Sequence, residues 1–208
     1  MTVRARIVYV VDDDVSVCRA VGLLLKSHGF DVRTFTRAAD FLASKHPKVP
    51  SCLVLDLRLP RMSGLALQEA LSEQGCPIPV VFISGHGDIP KSVKAMKGGA
   101  VDFLTKPFTD KDLLDAIHQA ITKSRLQNKE HAESETIKKR IQTLSPMELE
   151  VFRLVASGML SKQIASKRGK ALQTIKVHRS RVMLKMHAKT VTELIHFAQK
   201  TGFVPSQK

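Results

Sequence analysis

Apolar residues gather into five short runs in the first part of the chain, at 7–11 (Ile-Val-Tyr-Val-Val), 31–34, 52–55 (Cys-Leu-Val-Leu), 80–83 (Val-Val-Phe-Ile) and 102–104. The runs at 7–11, 52–55 and 80–83 are nearly continuous, the pattern of central strands covered on both faces. Between the runs the period becomes helical: over 16–28, Val17, Ala20, Val21, Leu24 and Leu25 share one face. Five strand-then-helix repeats predict an α/β fold built on a five-stranded, doubly wound parallel sheet. Ligands of such sheets bind beyond the carboxyl ends of the strands, near the point where strand order reverses. The residues just after strands one, three, four and five are therefore the places to look for chemistry.

Beyond residue 108 the pattern is helical throughout. Thr109-Asp-Lys-Asp112 offers an N-cap and first-turn acids ahead of Leu113-Leu-Asp-Ala-Ile117. Residues 122–140 lack Gly and Pro and are rich in Lys, Glu, Gln and Ser, which predicts a helical or partly disordered linker. Ser145-Pro-Met-Glu148 then supplies a cap, a first-turn proline and a reciprocal capping-box glutamate. Helices are predicted over 146–157, 161–168, 172–186 and 191–199, with no strand pattern. The 208 residues thus divide into a first domain at 1–121, a linker at 122–140 and a small all-α domain at 141–208.

Composition changes this picture in three ways. A hydrophobic content of 43% with 25% charged residues is that of a soluble globular protein. No apolar run reaches the length of a membrane span, and residues 1–6 carry no signal-peptide apolar region, so a cytoplasmic location and no membrane partner are expected. Cys18, Cys52 and Cys76 lie far apart, without a CxxC pair or a nearby histidine cluster, and are expected to be reduced and mostly buried rather than bound to zinc. The net charge of +14 is unevenly spread: residues 1–121 hold 15 Lys/Arg and 13 Asp/Glu, whereas residues 122–208 hold 18 and 6. An excess of +12 in the second part points to a nucleic-acid partner, because cationic side chains release counterions condensed on phosphate.

Asp12, Asp13 and Asp14 follow the first predicted strand and Asp56 follows the third. Carboxylates gathered at strand ends repel one another unless a cation joins them. Mg²⁺ suits the arrangement, being a hard ion held by one or two carboxylates, water and phosphate oxygens. Ser84 at the end of the fourth strand and Lys106 at the end of the fifth add a hydroxyl and an ammonium on the same edge. This set matches what phosphoryl transfer to an aspartate requires: a carboxylate to attack and cations to neutralise the charge on the transferring group.

The stretches Val11-Asp-Asp-Asp14, Leu55-Asp-Leu-Arg-Leu-Pro-Arg-Met-Ser-Gly64, Phe82-Ile-Ser-Gly-His-Gly-Asp88 and Asp102-Phe-Leu-Thr-Lys-Pro-Phe108 resemble the flavodoxin-like receiver domains of two-component response regulators over about residues 5–121. The resemblance implies that Asp56 is the phosphoacceptor. It also implies that Asp12, Asp13, Asp56 and the backbone carbonyl of Arg58 form the Mg²⁺ site, and that Ser84 and Lys106 bind the phosphoryl group. Asp14 would be a more peripheral acid and Lys106–Pro107 a cis peptide. Ser84 and Phe103 would form the switch, with Phe103 turning inward as Ser84 moves toward the phosphoryl group. Arg58 and His86 occupy positions that in similar proteins tune the lifetime of the acyl phosphate.

In the second domain, Ile164 and Ala165, then Ile175, Val182 and Met186, fall at spacings that bury one side of each helix. The opposite side of 172–186 carries Gln173, Lys176, Val177, Ser180 and Leu184, flanked by Arg179, Arg181 and Lys185. Such a helix packs on one face and enters a major groove with the other. Thr174-Ile-Lys-Val-His-Arg-Ser-Arg181 is the strongest part of a resemblance, over about 141–203, to the LuxR-type helix-turn-helix of the FixJ and NarL branch of response regulators. It implies that Lys176, Val177 and Ser180 face bases while His178, Arg179, Arg181 and Lys185 position the domain on phosphates. Three residues depart from the family pattern. Arg168 and Lys170 stand where apolar residues are usual, which either loosens the turn or adds phosphate contacts. Ala171 replaces the common polar cap of the recognition helix, a loss of about 1 kcal/mol. Thr190-Val-Thr-Glu193 predicts a capping box for the last helix, with Leu194, Ile195 and Phe197 in the core; in this family the same helix often supplies the dimer contact on DNA.

These resemblances imply a transcriptional regulator rather than an enzyme acting on an external substrate, its only catalysis being its own phosphorylation and dephosphorylation. A sensor histidine kinase would phosphorylate Asp56 with Mg²⁺ as cofactor. The receivers would pair as a homodimer, and the helix-turn-helix domains would bind double-stranded promoter DNA, with RNA polymerase as a further partner. An Mg²⁺-dependent phosphatase is the main competing reading, but Arg58 stands where such enzymes place a second acid two residues after the nucleophile. A regulator driven by protein binding alone would be favoured if an acid, the hydroxyl or the lysine were missing.

Overall fold

Alternate side chains of β1 (Ile7–Val11) point to opposite faces of the sheet, and all five are buried. Ile7, Tyr9 and Val11 belong to one apolar layer and Val8 and Val10 to another. This explains why the run is apolar without alternation. β3 (Ser51–Asp56) and β4 (Val80–Ser84) are buried along their whole length for the same reason. β2 (Asp31–Phe35), at one edge, is largely exposed, and β5 (Asp102–Thr105) lies at the other. All neighbouring strands are parallel, in the order β2-β1-β3-β4-β5. The computed structural model describes residues 6–85 and 89–203; His86 lies outside them.

Helices cover both faces. α1 (Val15–Ser27) and the start of α5 (Asp110–Gln142) bury Cys18, Val21, Leu25, Leu113, Ala116, Ile117 and Ala120 against Val8, Val10, Val54 and Ile83. α2 (Ala38–Ala43), α3 (Gly64–Glu73) and α4 (Ile89–Lys97) cover the other face, through Phe41, Leu67, Leu71 and Ala95. The crossings bring the carboxyl ends of β1, β3, β4 and β5 to one edge. There the amide of Leu57 donates to the carbonyl of Ile83 at 3.0 Å and that of Lys106 to the carbonyl of Ser84 at 2.7 Å.

The turn from β3 into α3 depends on Gly64. A Cβ there would lie 2.4 Å from the carbonyl oxygen of Asp56, 3.0 Å from the Phe82 ring and 3.1 Å from the Cα of Leu57. Only hydrogen fits, so the strand end that carries Asp56 is held against the start of the helix.

The chain divides into two compact units, Met1–Lys129 and Glu130–Lys208. Residues 122–140, read from sequence as a linker, lie within the continuous helix α5. Nothing in this stretch breaks a helix, and Glu135 and Lys138 pair across one turn at 3.0 Å. In the first unit the buried hydroxyl of Ser124 accepts from the amide of Ser51 at 3.0 Å. In the second, Ile137 and Ile141 enter the core with Phe152, Ile164, Ile175, Val182, Met186, Leu194 and Ala198. That core is formed with α6 (Pro146–Ala156), α7 (Ser161–Arg168), α8 (Leu172–Met186) and α9 (Val191–Lys200). Among the described residues no helix is long and apolar enough to cross a membrane.

α6 opens with the anticipated capping box: Glu148 accepts from the amide of Ser145 at 2.8 Å, and the Ser145 hydroxyl accepts from the amide of Glu148 at 3.3 Å. Glu148 also meets Lys185 of α8 at 2.6 Å, its side chain 4% exposed. The Lys185 ammonium first, and then the Ser145 amide, hold the Glu148 carboxyl down at about 2, from an ordinary 4.5, against the opposing effect of burial. At α9 the Thr190 hydroxyl accepts from the amide of Glu193 at 3.1 Å, but the Glu193 carboxylate takes the amide of Lys189, one residue before the cap. Leu194 and Ala198 are buried on this helix and Phe197 is partly so. Ile195, expected in the core, lies outside this cluster and is only half-buried.

Two outcomes are expected. Gly64→Ala should lower the stability of the first unit by about 1–3 kcal/mol through overpacking, measured by urea unfolding; a variant as stable as wild type would contradict the close approach. A carboxyl whose folded pKa is depressed contributes stability that is present above its ordinary pKa and lost as pH falls through the folded value. Unfolding followed from pH 5 to 2 should therefore show the second unit weakening between about 4.5 and about 2, and Glu148→Gln should flatten that dependence.

Candidate functional site

Each acid at the carboxyl edge of the sheet has a distinct environment. Asp12, 1% exposed, follows β1 directly. Its Oδ1 accepts from the amide of Asp14 at 2.9 Å and its Oδ2 accepts from Lys106 Nζ at 2.6 Å. Asp56 ends β3 at 6% exposure, its Oδ1 2.8 Å from the same ammonium and its Oδ2 accepting from the amide of Arg58 at 2.6 Å. Lys106 thus bridges two buried carboxylates contributed by different strands. Burial pulls the lysine's pKa down, but the two carboxylates outweigh it and the net shift is upward. At Asp12 burial wins: the carboxyl is raised above its ordinary range despite its hydrogen bonds to Lys106 and the Asp14 amide.

The remaining acids have different surroundings. Asp13 is exposed beside this pair. Asp14, read as a peripheral acid, is the N-cap of α1, its Oδ1 accepting from the amide of Ser16 at 2.7 Å. Ser84 is 1% exposed at the end of β4, and the Lys106–Pro107 peptide is cis. Phe103 is partly buried against the core, its ring centroid 6.3 Å from that of Phe82. The three cysteines are free; Cys18 and Cys52 are buried and Cys76 is partly so. The Cys18 thiol donates to the carbonyl of Asp12 at 3.3 Å, behind the site.

Among the described residues no three acid, histidine or cysteine side chains converge as a ready-made metal cage. Mg²⁺ does not require one, since it retains water and takes one or two carboxylates. Two buried carboxylates, Asp12 and Asp56, face a single ammonium, so the cluster carries one negative charge more than Lys106 balances. Asp12, Asp13, Asp56 and the Arg58 carbonyl are all oxygen donors, so the residues present fit the ion.

In the second unit, α7 ends at Gly169, whose left-handed backbone (φ 57°) reverses the chain toward α8. Ala171 caps α8 without a side-chain hydrogen bond, as the loss of the polar cap dictates. Ile175, Val182 and Met186 face inward. Gln173, Lys176, Val177, Ser180, Arg181 and Leu184 are exposed, so the base-facing set predicted from sequence shares an accessible side of the helix. The flanking cations diverge. Arg181 is exposed. Arg179 is half-buried and donates to the Ser161 hydroxyl at 3.0 Å. His178 is half-buried, with its Nδ1 shielded and unpartnered. Lys185 turns inward to Glu148 and to the Thr143 carbonyl, 3.1 Å away.

The basic turn is also accounted for: Arg168 forms an ion pair with Glu150 of α6, while Lys170 is exposed. Sequence reasoning missed Glu150, Arg140 and Thr143. It saw Glu148 only as a capping residue, since no local spacing announces a partner 37 residues away.

Two family models match the chain: the response regulator receiver domain over residues 8–118 and the luxR family of bacterial regulatory proteins over residues 142–198. Nodulation protein W of Bradyrhizobium diazoefficiens is 46% identical over 94% of this chain and 86% of its own length. The response regulator protein TodT of Pseudomonas putida is 40% identical over 96% and 88%. The solved structure of the response regulator StyR matches with a TM-score of 0.79 at 42% identity, over 94% of this chain and 99% of that one. The receiver edge with its bridged aspartates, the groove-sized helix α8 and these full-length likenesses lead to one assignment: the chain belongs to the two-component response regulators that carry a LuxR-type DNA-binding domain and regulate transcription.

Proposed function

We propose that Asp56 accepts a phosphoryl group from a sensor histidine kinase and that this event promotes receiver pairing and promoter binding. The observation that carries the reading is the Lys106 ammonium held between Asp12 and Asp56. A carboxylate fixed beside a permanent cation can attack phosphorus: the new bond runs from an Asp56 carboxylate oxygen to phosphorus as the donor's bond to phosphorus breaks. Lys106 then stabilises the charge gathered on the transferred oxygens. Mg²⁺ held by Asp12, Asp13, Asp56 and the Arg58 carbonyl would supply further charge neutralisation to the same oxygens. Ser84 offers its hydroxyl to the phosphoryl group, and Phe103 follows its movement inward. Arg58, exposed two residues after the acceptor, tunes the lifetime of the acyl phosphate.

Pairing of two receivers is supported by α4, which exposes Ile89, Val93 and Met96 and buries only Ala95. Paired receivers bring two helix-turn-helix domains to adjacent half-sites. There Lys176, Val177 and Ser180 face bases, with Arg181, Arg179 and His178 toward phosphates. Lys185 is set apart by its contacts with Glu148 and Thr143. Residues 1–121 serve as the receiver and 141–208 as the DNA-binding domain, with 122–140 connecting them. The protein works in the cytoplasm, with RNA polymerase as the partner through which bound dimers alter transcription. The phosphoryl group shifts a conformational population, since it contributes contacts available only in the active arrangement.

Acetyl phosphate with Mg²⁺ should add one phosphoryl group to the wild-type chain by intact mass. Asp56→Asn should add none and should remain monomeric in light scattering under the same treatment. Labelling of the asparagine variant to the wild-type extent would refute the assignment.

A further inference from the structure

The end of α8 is gripped by polar groups from two other elements. Lys185 Nζ lies 2.6 Å from Glu148 Oε2 and 3.1 Å from the Thr143 carbonyl. Glu148 is buried and is itself fixed by the Ser145 amide at 2.8 Å. Arg140, in the last turn of α5, donates through Nη1 to the carbonyl of Met186, the last residue of α8, at 3.1 Å. Three elements therefore meet here: the end of α5, the start of α6 and the end of α8.

We infer that Arg140, Glu148 and Lys185 are positioning residues that set the rotation and axial position of α8, so that Lys176, Val177 and Ser180 meet the bases in register, and that Lys185 is not a phosphate contact. The inference rests on α8 being the helix that enters the groove. Its physical basis is directionality. The buried side chains of α8, Ile175, Val182 and Met186, are all apolar and hold the helix by shape and packing, and the polar contacts at its end add a constraint that depends on direction. Hydrogen bonds to a carboxylate and to a terminal carbonyl weaken steeply with misalignment. A helix turns about 100° per residue, so even a fraction of a residue's rotation carries base-facing atoms out of hydrogen-bond range. Lys185 supplies the ammonium that faces the buried Glu148 carboxylate. Drawing it out to a phosphate would leave that buried carboxylate without this neutralising charge.

The test uses the full chain, treated with acetyl phosphate, and a duplex selected from a random pool by the wild-type protein. Affinities for that duplex and for a scrambled one of equal composition are measured by fluorescence anisotropy across a salt series. Lys185→Met and Arg140→Gln should each lower the preference for the selected duplex by roughly tenfold or more, leaving affinity for the scrambled duplex and the salt slope unchanged. Arg140→Gln leaves the Lys185–Glu148 pair intact and gives the same reading if Lys185→Met fails to fold. A salt slope reduced by about 0.9 for Lys185→Met, with both duplexes weakened alike, would make Lys185 a phosphate contact and overturn the inference. So would folded variants that discriminate as the wild type does, since a purely structural role moves only stability. If the wild type selects no duplex at all, the DNA-binding reading and this inference fall together; if it selects one and the variants discriminate normally, only the inference falls.

Discussion

Two aspartates from separate strands, both withdrawn from water, share one ammonium at the carboxyl edge of the sheet. Burying two like charges so close together is costly, and the arrangement persists because Lys106 stands between them. The parallel sheet is what makes it geometrically available. Every strand runs the same way, so the ends of β1, β3 and β5 coincide in space although residues 12, 56 and 106 are remote in sequence. Gly64 adds the second constraint by letting the β3–α3 turn close against the Asp56 carbonyl. The receiver's chemistry therefore depends on backbone packing as much as on the acids themselves.

The second unit applies the same principle to a different task. A buried carboxylate, Glu148, is again satisfied by a lysine from a distant element, here joining the start of α6 to the end of α8. Several cations are engaged within the unit: Lys185 on Glu148, Arg140 on the end of α8, and Arg168 on Glu150. The basic excess of residues 122–208 is consequently not all available to a nucleic acid. Lys162, Lys167, Lys170, Lys176 and Arg181 remain on accessible positions of α7, the turn and α8, enough to steer association with DNA.

α5 belongs to both units' cores. Ala116, Ile117 and Ala120 pack on the receiver sheet, and Ile137 and Ile141 pack among the DNA-binding helices. Its polar middle is what made the stretch resemble a linker, and the absence of Gly and Pro is what allows the helix to continue through it.

The sequence alone determined the five strands, their parallel direction, the helical second domain and the candidates at four strand ends. These follow from periodicity and from the kinds of residue at element boundaries, both of which are local. Cys18 and Cys52 were legible as buried thiols for the same reason. Tertiary structure decided what local pattern does not encode. Asp14 serves as the cap of α1, Ile195 stayed outside the core, Glu193 bonded one residue earlier than a capping box would have it, and the Lys185 ammonium reached Glu148. Periodicity specifies which face of a helix is covered. It does not specify where the end of a long, flexible side chain goes, because that depends on which charge from a distant part of the chain the fold has buried within its reach.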